Sequence, residues 1–388
     1  MYNMNNNEQQ QPILPACTRA EIYQFQPPGG VAEYHVMLHI TDSRLAFAAQ
    51  AEAIVTAFYN LLDGELKGAV PVFTRYFLSD AANQTDYLLG LMPENPDCPL
   101  SIVEQAPLNR TKIALWAYLQ TGVQSQVQHN GLFEVKHGAY RHLWGGSAYN
   151  RAANSEYQTR LLLNDYVMQL MEQGCKLADN CVRTWFFVQN VDVNYAGVVK
   201  ARNEVFVTQN LTEKTHYIAS TGIGGRHTDP KVLVQMDTYA VDGLKPGQMR
   251  YLYAPTHLNP TYEYGVSFER GTYVDYGDRR QVFISGTASI NNKGEVVYPR
   301  DIHRQTERMW ENVEALLAEA DCTYEHVGQM IVYLRDVADY DVVKEMYDAR
   351  FPHTPKVFVL APVCRPGWLI EMECMAVRAQ ENKDFAPF

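Results

Sequence analysis

Glu371 lies in Trp368-Leu369-Ile370-Glu371-Met372-Glu373-Cys374-Met375-Ala376-Val377, a run that reads as a β-strand. It alternates with Ile370 and Met372, between Trp368 and Leu369 on one side and the Cys374 thiol on the other. In that apolar setting a carboxyl keeps its proton to higher pH, which is the state a general acid needs. The competing role is a solvent-facing strand carboxylate sharing a face with Glu373. Cys364, beside Arg365 at a strand start, has the surroundings of a reactive thiolate, or else is a packed cysteine. Arg365 and Arg226 are loop arginines, a class that is usually solvated. Thr221-Gly222-Ile223-Gly224-Gly225 is glycine-rich, but it lacks a Lys-Ser/Thr ending and opens no helix, so it is no phosphate loop.

These residues belong to a unit that the chain repeats three times. Near the end, Ile331-Val332-Tyr333-Leu334-Arg335-Asp336 leads into a helix over 341–350, then Ala361-Pro362-Val363-Cys364-Arg365, then the Glu371 strand. Thr74-Arg75-Tyr76-Phe77-Leu78-Ser79-Asp80 leads into 82–89, then Ala106-Pro107-Leu108-Asn109-Arg110, then a strand over 113–118. A looser middle copy runs from Arg183 to Val188, through a helix over 195–206, to a strand over 232–241. A unit repeated in this way can meet its copies within one polypeptide instead of as subunits. The reading is α/β (α+β): three ββαβαββ units with helices on one face of each mixed sheet, closing into a pseudo-trimer. The expected boundaries are an arm over 1–30, degenerate repeats over 31–125 and 126–245, and a site-bearing domain over 246–388. Residues 242–265, with three Pro and four Tyr, read as the connection into that last domain. Counting from the Ala-Pro-x-x-Arg block puts Trp116 at the place of Glu371 in the first copy, and Gln235 stands there in the middle copy, which leaves one acid and one site per chain.

A formal net charge of -11 argues against a nucleic-acid partner. No apolar run has the length of a membrane span. Met1 to Gln11 has no signal-peptide character. Seven cysteines without a C-x-x-C pair point to a reducing cytoplasm rather than to zinc or a disulfide framework. Nothing in the sequence calls for a metal or an organic cofactor. Because the covalent repeat closes the ring, a monomer is expected.

From Tyr264 to Val377 the chain resembles the Rid (YjgF-like) family. The resemblance rests on Phe283-Ile284-Ser285-Gly286, Gln305 with Asn312, Val332 to Asp336, Tyr347 with Phe351-Pro352, and Ile370 to Val377. Those proteins are homotrimers with clefts between subunits. More narrowly, Tyr264-Gly265-Val266-Ser267-Phe268-Glu269-Arg270-Gly271, Ser285 to Ser289, and Cys364-Arg365-Pro366 followed by Glu371 resemble the chorismatases, long Rid-fold enzymes that cleave the enolpyruvyl ether of chorismate.

The resemblance implies that Glu371 is the catalytic glutamate, releasing pyruvate from chorismate or a related carboxylic acid. Two substrate carboxylates call for arginine, and Arg270 is the first choice, with Tyr264 and Tyr253 as hydroxyl donors. Cys364 together with Gly271 resembles the branch that makes 3-hydroxybenzoate. Two departures stand against this. Asn203 and Asn210 fall where the family's middle region carries a Tyr and an Arg, and Lys356 stands where Rid deaminases hold an arginine. A Rid-type enamine/imine deaminase and a non-catalytic small-molecule-binding homologue are the alternatives.

Overall fold

The computed structural model describes residues 14–94, 96 and 98–388. The arm expected at Met1–Gln11 therefore lies outside the described residues. Among the described residues of the 1–30 segment, β1 (Thr18–Phe25) is extended and pairs along its whole length with β2 (Glu33–Ile40). Sequence reading missed this strand because it lies at a sheet edge, half-buried, with no clear apolar alternation.

The first unit continues with β3 (Ala69–Leu78), β4 (Leu100–Glu104) and β5 (Ile113–Thr121), with helices α1 (Phe47–Asp63) and α2 (Ala81–Gly90). The second holds β6 (Gln124–Val127), β7 (Phe133–His137), β8 (Tyr140–Tyr149), β9 (Cys181–Val188), β10 (Ala219–Gly224) and β11 (Val234–Asp242). Its helices are α3 (Ser155–Glu172), the single turn α4 (Leu177–Asn180) and α5 (Val191–Thr208). The third holds β12 (Met249–Leu252), β13 (Gly271–Asp275), β14 (Arg279–Ala288), β15 (Val327–Leu334), β16 (Lys356–Leu360) and β17 (Ile370–Ala379), with α6 (Ile302–Glu319) and α7 (Tyr340–Arg350). The stretch read as a connection thus carries β12 and a 3-10 turn at Thr261–Tyr264.

The sheet orders are β1-β2-β5-β3-β4, β6-β7-β8-β11-β9-β10 and β12-β13-β14-β17-β15-β16, one topology used three times. In each, the last two strands are parallel and the other neighbours antiparallel. Helices cover one face. The other faces meet in a shared interior where Phe73 contacts Trp116, Trp144 and Trp185, and Tyr239 contacts Phe283. Coverage on both faces explains why β9, β15 and most of β17 are buried along their length.

The units are tied in a ring by the loops after their last parallel strands. Glu104 bridges to Arg226, Pro107 to Val359, and Val363 to Ile223. Backbone hydrogen bonds accompany each junction: Glu104 N to Arg226 O at 2.8 Å, Leu360 N to Ala106 O at 2.8 Å, and Gly224 N to Pro362 O at 2.9 Å. First meets second, second meets third, and third meets first, so the pseudo-trimer closes. Among the described residues no helix is long and apolar enough to cross a membrane.

Candidate functional site

Glu371 points into the interior because of strand alternation. Its neighbour Met372 faces the helix layer, where its sulfur accepts from Tyr347 Oη on α7 at 3.1 Å. Glu373, two residues along, faces the other way and meets Arg183 and Trp185 of the second unit. Glu371 therefore faces the second unit too, where it lines a cavity of about 520 Å³. The walls come from α5 and β10 of the second unit, from the 264–270 segment, and from β14, β17 and the 364–368 loop of the third.

Two glycines make room. At Gly286, beside the β14 bulge, an added Cβ would stand 2.1 Å from Glu371 Oε1. At Gly222 it would stand 2.6 Å from the Tyr195 ring, which forms part of the wall. The cavity lining is otherwise largely apolar, with Val199, Val266, Phe268, Ile290 and Trp368.

Glu371 is 4% exposed. Burial, with the Glu373 carboxylate adding to it, pushes its carboxyl up to about 8 against the opposing pull of Arg183 and Arg270. The carboxyl thus keeps its proton at neutral pH.

Arg202 was not anticipated. It lines the same cavity from α5, is 1% exposed, and its Nε and Nη2 have no protein partner among the described residues. Its guanidinium lies 6.0 Å from the Phe186 ring centre and 5.8 Å from that of Phe268. A buried cation with two unused N–H groups is a preformed seat for a carboxylate. The signal was present in the sequence: Val198, Ala201, Arg202, Val205 and Phe206 share the buried face of α5 at helical spacing. Tyr195 and Arg202 thus place a Tyr and an Arg in the cavity wall. Asn203 also serves the wall, donating to Gly265 O at 3.0 Å and accepting from Ser267 Oγ at 2.6 Å.

The other expected residues divide. Arg270 lines the cavity between the rings of Tyr264 and Phe268, but its fork is partly committed. Nε and Nη2 donate to Asn259 O at 3.2 and 2.9 Å. Tyr264 is in the wall, beneath Arg365, whose guanidinium stands 4.4 Å from its ring centre. Cys364 is in the wall too, and burial and the neighbouring Glu371 push its thiol up to about 12, so of the two alternatives it is the packed, neutral cysteine and not the reactive thiolate. Tyr253 is not in this cavity. It is 45% exposed and borders a smaller pocket with Glu269. Gly271 opens β13 against Leu252 and Phe283 O, behind Arg270 and off the cavity wall. Arg226 pairs with Glu104 at the junction of the first two units.

Pairing registers place the equivalents of Glu371. Glu371 lies opposite Tyr333, as Ala114 lies opposite Phe77 and Gln235 opposite Phe187. The first copy therefore carries Ala114 there and not Trp116, whose counterpart is Glu373. In the second copy Gln235 donates to Ile102 O and Ser147 Oγ, both at 3.0 Å, which seals that cleft. Lys356 faces a separate cleft between the first and third units. The register counterpart of Lys356 in the Glu371 cavity is Ser220.

Three Rid-type units in a closed ring, with a carboxyl-bearing cleft at one junction, define the class of fold and site. Residues 268–378 match the family model described as Endoribonuclease L-PSP. Over 99 residues the chain is 32% identical to a RutC family protein of Pyrococcus abyssi, covering 25% of this chain and 78% of that protein. Over 97 residues it is 28% identical to the 3-aminoacrylate deaminase RutC of Acinetobacter baylyi, covering 24% of this chain and 77% of that protein. A crystal structure of a chorismatase superposes with a TM-score of 0.63 at 17% identity, covering 79% of this chain and 92% of that one. The chain belongs to the Rid (YjgF-like, RutC) superfamily, and its overall fold is that of a chorismatase.

Proposed function

We propose that the protein is a chorismatase-like enzyme that cleaves the enolpyruvyl ether of chorismate or a closely related carboxylic acid. The observation that carries this reading is one apolar cavity holding both a protonated carboxyl, Glu371, and an unpaired buried guanidinium, Arg202. Its volume, about 520 Å³, falls in the range of small-molecule sites.

Arg202 takes one substrate carboxylate. The cationic groups nearer the rim, Arg365 and Lys200, take the other. Glu371 gives its proton to the methylene carbon of the enol ether, leaving an oxocarbenium ion between ether oxygen and carboxylate-bearing carbon. Water adds to that carbon, and the hemiketal collapses with cleavage of its bond to the ether oxygen, releasing pyruvate and leaving the ring as a dihydrodiol. The Glu371 carboxylate formed in the first step faces Arg270 and Arg183, which stabilise it until it is reprotonated. With Cys364 and Gly271 present, the expected aromatic product is 3-hydroxybenzoate, formed when the dihydrodiol loses one ring hydroxyl as water. The reading includes a monomer, because the three units already complete the ring.

A second reading rests on the deaminase relative. Protonating the carbon of an enamine is chemically parallel to protonating an enol ether, so a small enamine or imine acid would use the same acid. The separating experiment supplies chorismate and, in parallel, a small imine acid generated in place, following pyruvate and ammonia. Pyruvate from chorismate alone supports the proposal, ammonia alone supports the deaminase, and binding of chorismate without turnover identifies a binding homologue.

A further inference from the structure

Glu371 and Glu373 lie on one buried face of β17, two residues apart, a rise of roughly 7 Å along the strand. Their surroundings differ sharply. Glu373 accepts from Arg183 Nη2 at 2.9 Å, from Trp185 Nε1 at 2.7 Å and from Thr221 Oγ1 at 2.5 Å, with Arg75 Nη1 3.8 Å away. These donors come from the first and second units. Among the described residues no protein donor hydrogen-bonds to Glu371. The Thr221 hydroxyl also accepts from Gly286 N at 2.9 Å, fixing the stretch of β14 that leaves room for the Glu371 carboxyl.

We infer that Glu373 is a positioning residue for Glu371: by claiming Arg183, Trp185 and Thr221 it leaves Glu371 without a hydrogen-bond donor and with Arg183 already paired, and so loaded with its proton. The inference rests on Glu371 being the acid of the proposed reaction. The groups that face Glu371 come from every neighbouring element. Tyr333 lies opposite on β15, Arg183 comes from β9 and Arg75 from β3. Tyr195 and Arg202 come from α5, and Arg270, Tyr264, Cys364 and Arg365 from the loops. Arg75 is itself held by Asp237 at 2.8 Å, so the pseudo-axis carries two buried ion pairs in which Arg75 and Arg183 are already committed to other carboxylates. Removing Glu373 frees Arg183 to act as counter-ion for Glu371. Removing Arg183 leaves two carboxylates facing each other.

The test is infrared titration of the Glu371 carboxyl in substrate-free protein, its band assigned by loss in Glu371→Gln. The proteins compared are wild type, Glu373→Gln and Arg183→Gln, each checked for native circular dichroism. Glu373→Gln is expected to lower the midpoint by about one pH unit or more, and Arg183→Gln to raise it. Merely structural damage would not move the two variants in opposite directions. An unmoved midpoint in Glu373→Gln, or shifts of the same sign in both, overturns the inference. If Glu373→Gln does not fold, Arg183→Gln decides alone, a raised midpoint supporting the inference and an unchanged or lowered one overturning it. Opposite shifts in a protein that does not cleave chorismate would sustain this inference and remove only the substrate assignment.

Discussion

Replacing Glu371 by glutamine keeps the size of the protonated side chain and removes its ability to ionise. In the folded protein the carboxyl titrates near 8, whereas the unfolded chain has the ordinary value of 4.5. Between those values the folded state holds a proton that the unfolded state has lost, so wild-type stability falls as pH rises through this window, and the loss is complete above about 8. Each pH unit in the middle of the window is worth about 1.4 kcal/mol, and the two flattened ends reduce the total to about 3.5 kcal/mol between pH 5 and pH 8. Glutamine has no such slope, and every other titrating group is common to the two proteins. The variant is expected to match wild type near pH 5, to exceed it by about 3.5 kcal/mol at pH 8, and to be inactive throughout. Urea unfolding of both proteins at pH 5, 6, 7 and 8 measures the divergence. Parallel stability curves would refute the raised carboxyl and with it the acid role.

Arg202→Gln should weaken chorismate binding by about 10- to 100-fold, read by calorimetry, because a charge-assisted pair of hydrogen bonds is lost. Its thermal midpoint should not fall, since the guanidinium has two unpartnered nitrogens in the free protein. Gly286→Ala drives a methyl into Glu371 Oε1 and should abolish pyruvate release while lowering stability by about 1–3 kcal/mol, measured by urea unfolding. Cys364→Ala should keep the pyruvate rate at the wild-type order of magnitude, because a thiol titrating near 12 is no nucleophile at neutral pH, although the ratio of aromatic products can change. A total loss of pyruvate release in that variant would restore the thiol to the reaction.

The third unit was legible in sequence because its strands are covered on both faces and its long helix carries a clean apolar stripe of Met309, Val313, Leu316 and Leu317. Glu371 was legible for the same reason, as a lone carboxylate in an apolar strand followed at period two by a second. Its counterpart in the first copy was misplaced because counting began from Ala-Pro-x-x-Arg. The path from the end of β4, Glu104, to Ala114 spans 10 residues, against 11 from Leu360 to Glu371. The Ala-Pro pair also sits one residue later in the first copy. Counting therefore landed two residues late, on Trp116. Arg202 was missed because a charged residue on a helix is ordinarily solvated, and only contact between α5 and the third unit buries it. Arg270 was over-weighted because the sequence does not show that Asn259 occupies its fork. No pattern in Cys364-Arg365 reveals that the Arg365 guanidinium stacks on Tyr264 and Trp368, or that burial and Glu371 keep the neighbouring thiol neutral.

The account turns on transfer of a proton from Glu371 to the methylene carbon of an enol ether. Turnover of chorismate in heavy water, with the released pyruvate analysed at once by mass spectrometry, tests that step most directly. Wild type should release pyruvate carrying one solvent deuteron in its methyl group, and Glu371→Gln should release none. Pyruvate without deuterium, or turnover that survives the glutamine substitution, would contradict carbon protonation by this residue.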